Sequence, residues 1–193
     1  PKEANEPLSG INNADLIFEY LAESGKPEYT AIFHDKIPAK TSPIKQLGDI
    51  SIKKLPSFSF CRSSQKTYES KRAANYIFIT LNYDISSNFI YENGFYKHFK
   101  DTAMDFDTSN AAPVLVSNII IQFTDNYEGM ENVSQLGMGK GLLFCGGKII
   151  DIHWQNDGSS PIKVEDENGN PVQLQNGSTW WVIINKNCPV AYN

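Results

Sequence analysis

The sequence has few cysteines, and none of them is paired at the spacing of a metal site. Cys61, Cys145 and Cys188 are the three cysteines in 193 residues, and no Cys-x-x-Cys motif is present. At most one disulfide can form, so neither a zinc site nor a disulfide framework is expected. No other cofactor signature is complete, and we predict a protein without a cofactor.

Excess positive charge and long apolar runs are also missing. The 17 basic and 22 acidic residues give a formal net charge of −5, which offers no field that would attract a nucleic-acid backbone. No apolar run reaches the roughly 18 residues of a transmembrane helix. The chain begins at Pro1 without a signal peptide, so we interpret it as the mature or trimmed portion of a longer protein.

Aromatic residues and hairpin signals are abundant. Nine Tyr, eleven Phe and three Trp favour a folded, β-rich chain over a disordered one. In the second half, short apolar runs alternate with Asn-Gly or Gly-Gly pairs at 93–94, 146–147, 168–169 and 176–177. Such pairs favour tight turns with positive φ, and we predict a mostly antiparallel meander of short strands.

Residues 14–24 have the pattern of an amphipathic helix. Asn12 and Asn13 before it suit an N-cap, and Gly25 and Pro27 after it suit a stop. Apolar residues occupy one helical arc, and acidic residues fall on the opposite stripe. That stripe consists of Asp15, Glu19 and Glu23.

The predicted fold class is therefore α+β, with an N-terminal and a C-terminal region. Residues 1–85 combine this helix, a second helix over 63–74 and strands over 29–34 and 76–81. Residues 86–193 form the mostly antiparallel β domain. No linker composition marks the boundary between the two regions, so we expect them to pack together.

Acidic residues are the first candidates for a binding site. Asp15 and Glu19 would lie one helical turn apart and could act as a general acid or a cation ligand, although an exposed acidic helix face is commoner. Asp105 and Asp107 lie in a polar loop that could hold a cation weakly. This loop lacks the Gly and terminal Glu of a calcium loop, and a turn rich in side-chain caps is the alternative.

Lys140 lies in the run Gly137-Met138-Gly139-Lys140-Gly141. Backbone amides and a lysine can bind an anion, but the spacing of a phosphate loop is not met. Ser134 stands where that loop needs its first Gly, and Gly141 stands where it needs Ser or Thr. A glycine-rich loop that enters a hairpin is the alternative.

Aromatic residues near strand ends are the remaining candidates. His153 and Trp154 could line a pocket, although a single strand histidine is more often packed or solvated. Trp180 and Trp181 must face opposite sides of a strand, so we expect at least one of them to offer an outward contact surface for a sugar or a protein. A Trp packed under a loop is the alternative.

A larger set of residues carries a resemblance to a known family. In the second half it comprises Asn118, Gln122, the run 137–144, Gly147-Lys148, Trp154, Asn168-Gly169, Gly177 and Trp180. In the first half it comprises Pro7-Leu8-Ser9-Gly10, Ala14-Asp15, Glu19, Glu23 and Ala31-Ile32-Phe33. With these residues the chain resembles the YerB-like family of bacterial lipoproteins.

The resemblance implies a location and no particular activity. It implies a protein on the outer face of the cytoplasmic membrane of Gram-positive bacteria, held by a lipid anchor upstream of Pro1. Glu28, Lys45 and Gly48 stand where the family typically has arginines, and Asp105 stands where it has a histidine. Because lysine and glutamate do not replace the bidentate arginine fork, an anion site of the family would be weakened here.

Three functional hypotheses follow. We predict a noncatalytic module that binds an envelope protein or a cell-wall component, because exposed-aromatic candidates are many and nucleophile–base pairs are few. It would use the cleft between the two regions or the Trp face, and would contact the membrane only through its anchor. The alternative is a hydrolase of cell-wall glycan or peptide with paired carboxylates from Asp15, Glu19, Asp105 or Asp107. The third is a degenerate member that lost its activity with the arginines.

Overall fold

The protein is almost entirely β-structure in the residues that the structure describes. The computed structural model describes residues 7–34, 38, 41, 44–45, 56, 58–61, 68, 71–125 and 136–193. Their helical content is one 3₁₀ turn, Ile11–Asn13. Within these ranges we find no helix that could span a membrane. The thiols of Cys61, Cys145 and Cys188, all among the described residues, are not joined in disulfide bonds.

The strands, numbered β1 to β18 in chain order, form two main sheets. The larger sheet contains, in spatial order, Lys163–Asp166 (β15), Lys148–Asn156 (β14), Gly137–Cys145 (β13), Asn118–Thr124 (β12), Thr179–Asn185 (β17), Leu16–Leu21 (β1), Pro27–Ile32 (β2) and Ile44–Lys45 (β3). At its centre β17 runs parallel to both β12 and β1. The edge strand β3 is parallel to β2, and the other pairs are antiparallel.

The smaller sheet is antiparallel. It contains, in spatial order, Leu115–Val116 (β11), Phe95–Lys100 (β7), Ser86–Glu92 (β6), Tyr76–Thr80 (β5) and Val190–Tyr192 (β18), with Ala103–Met104 (β8) also paired to β7. Two further pairs join Phe106–Asp107 (β9) to Ala112–Pro113 (β10) and Ser59–Cys61 (β4) to Gln173–Gln175 (β16).

Both faces of the larger sheet are buried at its central strands, β12, β17 and β1. One face, with Trp180, packs with Phe89 and Tyr96 of the smaller sheet in the first hydrophobic cluster. The opposite face, with Trp181, packs with Leu174 and its neighbours in a second cluster. The two adjacent Trp side chains therefore point to opposite faces, and both are fully buried. Neither Trp offers the outward contact surface expected from the sequence.

The predicted helix over 14–24 is wrong, and so is the α+β fold class. These residues contain β1, whose six residues are all buried, and they lead into Gly25, which has a φ of 74° in the turn to β2. A strand buried on both faces is a nearly continuous apolar run without alternation, as β1 is apart from Glu19, and periodicity alone does not separate such a run from a helix. The deciding partner is β17, which lies far along the chain. Long-range pairing thus overrides the local pattern.

The other sequence predictions have different outcomes. The second helix, predicted over 63–74, lies mostly outside the described residues. The strands at 29–34 and 76–81 and most short strands of the second half are confirmed within a few residues. The predicted antiparallel meander is wrong at β12, which pairs in parallel with the distant strand β17. The turns at 93–94 and 146–147 have positive φ at both residues, as predicted. The division at residue 85 falls between β5 and β6 of one sheet and stays a prediction.

Candidate functional site

A chain of polar side chains links the two sheets. The Ser87 hydroxyl on β6 lies 2.6 Å from Glu19 Oε2 on β1 and 3.0 Å from His98 Nε2 on β7. On the other side of the ring, His98 Nδ1 lies 3.0 Å from Asp105 Oδ2. The Trp180 indole N–H donates to the same Glu19 oxygen at 2.8 Å. The fold thus connects two predicted site residues, Glu19 and Asp105, through Ser87 and His98, which the sequence alone did not single out, and a third, Trp180, bonds directly to Glu19.

Proton counting constrains this chain. Three hydrogen bonds in series, from Glu19 through Ser87 and His98 to Asp105, need three protons. A serine hydroxyl and a neutral imidazole supply only two. The third proton therefore sits on the imidazole or on one of the two carboxyl groups. The four linked side chains together carry one net negative charge.

Aromatic rings enclose the polar chain. The His98 ring stacks on Trp180 with 4.3 Å between centroids, and Phe89 packs against both. Tyr29 meets Trp180 edge-on, and its buried hydroxyl approaches Glu19 without a well-formed hydrogen bond to any described residue. Burial raises the pKa of Tyr29 well above its ordinary value, and the nearby carboxyl groups of Glu19 and Asp105 raise it further.

Ser87, His98 and Asp105 follow the order of a serine-hydrolase triad, but the arrangement is closed. Ser87 and Glu19 are each 1% exposed and His98 is fully buried. Glu19 also occupies one side of the Ser87 hydroxyl, where a nucleophile needs room for a substrate carbonyl. The side chain of Asp105 is 13% exposed. The geometry suits a polar core that fixes one sheet on the other.

Asp107 has a different set of partners. Its buried carboxylate accepts hydrogen bonds from the backbone N–H groups of Gly10, Asn12 and Ser109 and from the Ser109 hydroxyl. Burial alone would raise the pKa of Asp107, but the hydrogen bonds from Ser109, Asn12 and Gly10 outweigh it and lower the pKa. Asp107 therefore connects the N-terminal segment, at Gly10 and Asn12, to the turn that contains Ser109.

Asp15 is exposed, and the hydrogen bond that its carboxylate accepts joins it to neither the Glu19–Asp105 chain nor the Asp107 group. Its carboxylate accepts a hydrogen bond from the backbone N–H of His34 at 2.7 Å, and the two residues line one cleft. Among the described residues, no group of three His, Cys, Asp or Glu side chains could hold a metal ion.

The glycine run around Lys140 is part of strand β13. Trp154 on β14 lies across this strand and donates its indole N–H to the Phe123 carbonyl at 3.0 Å. A Cβ at Gly139 would come within 2.8 Å of the Trp154 Nε1 atom, so the packing of this Trp requires glycine there. Lys140 and His153 are exposed cross-strand partners.

The outer face of the smaller sheet carries an exposed aromatic groove. Strand alternation directs Tyr76 and Phe78 of β5 outward, where they are 57% and 50% exposed. Together with Ile90 of β6 and Phe99 of β7 they line a groove of about 530 Å³. We call this site the aromatic groove.

An unsatisfied amide oxygen lies beneath the aromatic groove. Asn88 is in cross-strand register with both Phe78 and Phe99. Its Nδ2 donates to the Asp101 carbonyl at 2.6 Å and to the Ser86 hydroxyl at 2.9 Å, and a carbonyl can only accept. The orientation of the amide is therefore fixed, and its Oδ1 is covered from solvent without a donor among the described residues.

Comparison with known proteins identifies the family. The model described as "Protein of unknown function (DUF3048) N-terminal domain" matches residues 2–104, and the model for the DUF3048 C-terminal domain matches residues 77–181. Each match covers more than half of the 193 residues. The chain belongs to the DUF3048 family.

The DUF3048 chain has similar relatives of known sequence and structure. It is 20% identical to "Putative lipoprotein YerB" of Bacillus subtilis (strain 168), over 92% of this chain and 77% of that protein. The crystal structure of YerB from Bacillus subtilis matches with a TM-score of 0.69 at 18% identity, over 96% of this chain and 89% of the other. These matches confirm the resemblance to the YerB-like family, and the structural match supports the β-rich fold.

Two of the three positions where family-typical arginines were expected are described in this DUF3048 chain. Glu28 lies on β2, and Lys45 lies on the adjoining strand β3, in register with Thr30. Gly48 lies outside the described residues. The two described positions are thus on neighbouring strands at one edge of the larger sheet.

Proposed function

We propose that this DUF3048 chain is a noncatalytic extracytoplasmic domain that binds a cell-wall or envelope component in the aromatic groove. The observation that carries the proposal is the exposure of Tyr76 and Phe78, about half of each ring, on a regular strand. The relative named as a lipoprotein supports the location. By this analogy, a lipid anchor upstream of the chain holds the domain at the outer face of the cytoplasmic membrane.

The position of the rings on a sheet favours binding. Clustered apolar side chains on the surface of a folded domain are typical of interaction sites. Tyr76 and Phe78 lie on β5, which is paired on both sides by β6 and β18, so their backbone is held in place. Rings on a rigid strand lose little conformational freedom when a ligand packs on them.

Binding to purified cell-wall sacculi tests the proposal. Phe78→Ala removes one exposed ring of the groove, and Phe95→Ala is the matched control because Phe95 is 45% exposed on the same sheet face but outside the groove. We expect Phe78→Ala to weaken co-sedimentation about tenfold, as truncation of a central aromatic contact does, and Phe95→Ala to leave it unchanged. Equal binding by wild type and Phe78→Ala would contradict the assignment to this groove.

A hydrolase is the second candidate, and the order Ser87–His98–Asp105 is the observation that favours it. An activated serine reacts with a fluorophosphonate probe, so labelling of the wild type but not of Ser87→Ala would support catalysis. We expect no labelling, because the Ser87 hydroxyl is enclosed.

A further inference from the structure

The aromatic groove has several aromatic rings along one face of the smaller sheet. Tyr76 and Phe78 are two positions apart on one strand, which separates their Cα atoms by about 7 Å. Phe99 lies across the sheet from Phe78 on the far side of Asn88. Pyranose rings have flat faces of C–H groups that pack on aromatic rings, so successive sugars of one chain can occupy successive rings.

The size of the groove favours a small ligand over a protein surface. Its volume of about 530 Å³ lies within the range of about 300–1,000 Å³ that is usual for small-molecule sites. A stable protein interface instead buries about 800 Å² on each partner. A short stretch of glycan fits the concave site better than a folded partner does.

The charges around the groove favour a neutral ligand. Asp101 is the charged residue among the described lining residues, and its carboxylate already accepts a hydrogen bond from the Ser86 backbone N–H. Arg72, which borders the groove at Tyr192, donates to the Tyr192 hydroxyl at 2.9 Å and lies over its ring. A phosphate-rich polymer needs several cations in the site, and the described lining residues provide none.

The polarity of the groove floor favours acetylated sugars. A sugar that carries only hydroxyl groups would bury them against the side chains of Phe78, Ile90 and Phe99, where they find few partners. An acetamido group places a methyl group beside a single N–H donor. The covered Asn88 Oδ1 is an acceptor in need of such a donor. Contact with it requires a side-chain rotation in the groove, and such rotations are common on binding.

We infer that the ligand is a neutral glycan chain of N-acetylated sugars, bound with its pyranose rings on Tyr76 and Phe78 and an acetamido group towards Asn88. The inference rests on the proposed binding function of the aromatic groove. It adds the chemical class of the ligand, which the proposed function leaves open between a protein and a cell-wall component.

Two trisaccharides test this inference directly. Tri-N-acetylchitotriose and cellotriose have the same β-linked backbone and differ in carrying an acetamido group or a hydroxyl group on each ring. We expect calorimetry to show binding of the acetylated sugar at least about tenfold tighter than that of cellotriose, with amide resonance shifts confined to β5, β6 and β7.

Phe78→Ala should weaken binding of the acetylated sugar about tenfold, and Phe95→Ala should leave it unchanged. Thermal unfolding of each variant verifies that it is folded.

The alternative results are distinguishable. Equal affinity for the two sugars would overturn the preference for acetamido groups, and unchanged binding by Phe78→Ala would overturn the location. If neither sugar binds while sacculi still bind in a Phe78-dependent manner, the ligand class is wrong and the proposed function stands. If that binding also disappears after protease treatment of the sacculi, the partner is a protein. If the wild type binds neither the sugars nor the sacculi, both proposals are contradicted.

Discussion

Strands β6 and β7 have two faces with opposite properties. Ser87 and His98 point inward into a closed chain of hydrogen bonds, and both are almost completely buried. Asn88 and Phe99, the next residue on each strand, line the aromatic groove on the outer face. On the inner face, Ser87 and His98 have hydrogen-bond partners, whereas the outer face leaves aromatic rings exposed and the Asn88 oxygen without a donor among the described residues. We infer that the inner face maintains the fold and that the outer face is available for a ligand.

The largest expected effect comes from breaking the inner face at Trp180. This side chain is fully buried, packs on His98 and donates to Glu19. Trp180→Ala should lower the free energy of unfolding by about 3–5 kcal/mol, through the cavity and through the lost donor. Denaturant titration measures the change. Phe95→Ala, which removes an exposed ring, should change the free energy of unfolding by less than about 0.5 kcal/mol. If Trp180→Ala and Phe95→Ala lowered stability equally, the inner face would not be the stabilising one.

A smaller effect is expected when the polar chain is interrupted at its centre. His98→Ala removes one hydrogen-bond partner of Ser87 and one of Asp105, and a buried polar group left unsatisfied costs about 1–3 kcal/mol. We expect a loss of about 2–3 kcal/mol in the same titration. In the wild type, the ¹⁵N resonances of the His98 ring show whether the third proton of the chain lies on the imidazole. If His98→Ala were as stable as the wild type, the polar chain would contribute nothing to the stability of the fold.

The stability that Asp107 contributes to the fold should depend on pH. Its pKa is lower in the folded state, so its stabilisation is fully present above the unfolded pKa of about 3.9 and is lost as the pH falls through the folded value. Asp107→Asn should therefore lower stability by about 1.5 kcal/mol at pH 7. The difference from the wild type should shrink below about pH 4. A difference that stays constant down to about pH 2 would rule out the charge of Asp107 as its cause.

The smallest effect on stability is expected on the outer face. Phe78 is half exposed, so Phe78→Ala should change the free energy of unfolding by less than about 0.5 kcal/mol even though it removes a ring of the groove. Denaturant titration and sacculus binding on one preparation separate the two effects. A large loss of stability would show that Phe78 belongs to the core and would weaken the contrast between the faces.

Much of the β-structure could be predicted from local pattern. Alternating side chains and turn residues such as Asn93 and Gly94 locate hairpin strands because both signals are confined to a few neighbouring residues. β1 could not be placed this way, because its residues, apolar except for Glu19, show no alternation and its partner β17 is distant in sequence. The acidic spacing of Asp15, Glu19 and Glu23 then favoured a helix.

The candidate site was only partly predictable. Glu19 and Asp105 were identified as acidic candidates, but their connection through Ser87 and His98 depends on the packing of the two sheets. A signal for this connection exists, since Ser87 and His98 are polar residues at positions of β6 and β7 whose neighbours two residues away, Phe89 and Tyr96, are buried. The aromatic groove had no such signal, because both faces of β5 are apolar and alternation does not reveal which one stays exposed.

The most direct test compares one variant from each face in the same binding measurement. Ser87→Ala alters the inner chain, and Phe78→Ala alters the aromatic groove; binding isotherms of both folded variants on purified sacculi are measured beside the wild type. We predict that Ser87→Ala binds as the wild type does and that Phe78→Ala binds about tenfold more weakly. Loss of binding in Ser87→Ala with full binding in Phe78→Ala would contradict the account and place the function on the inner face.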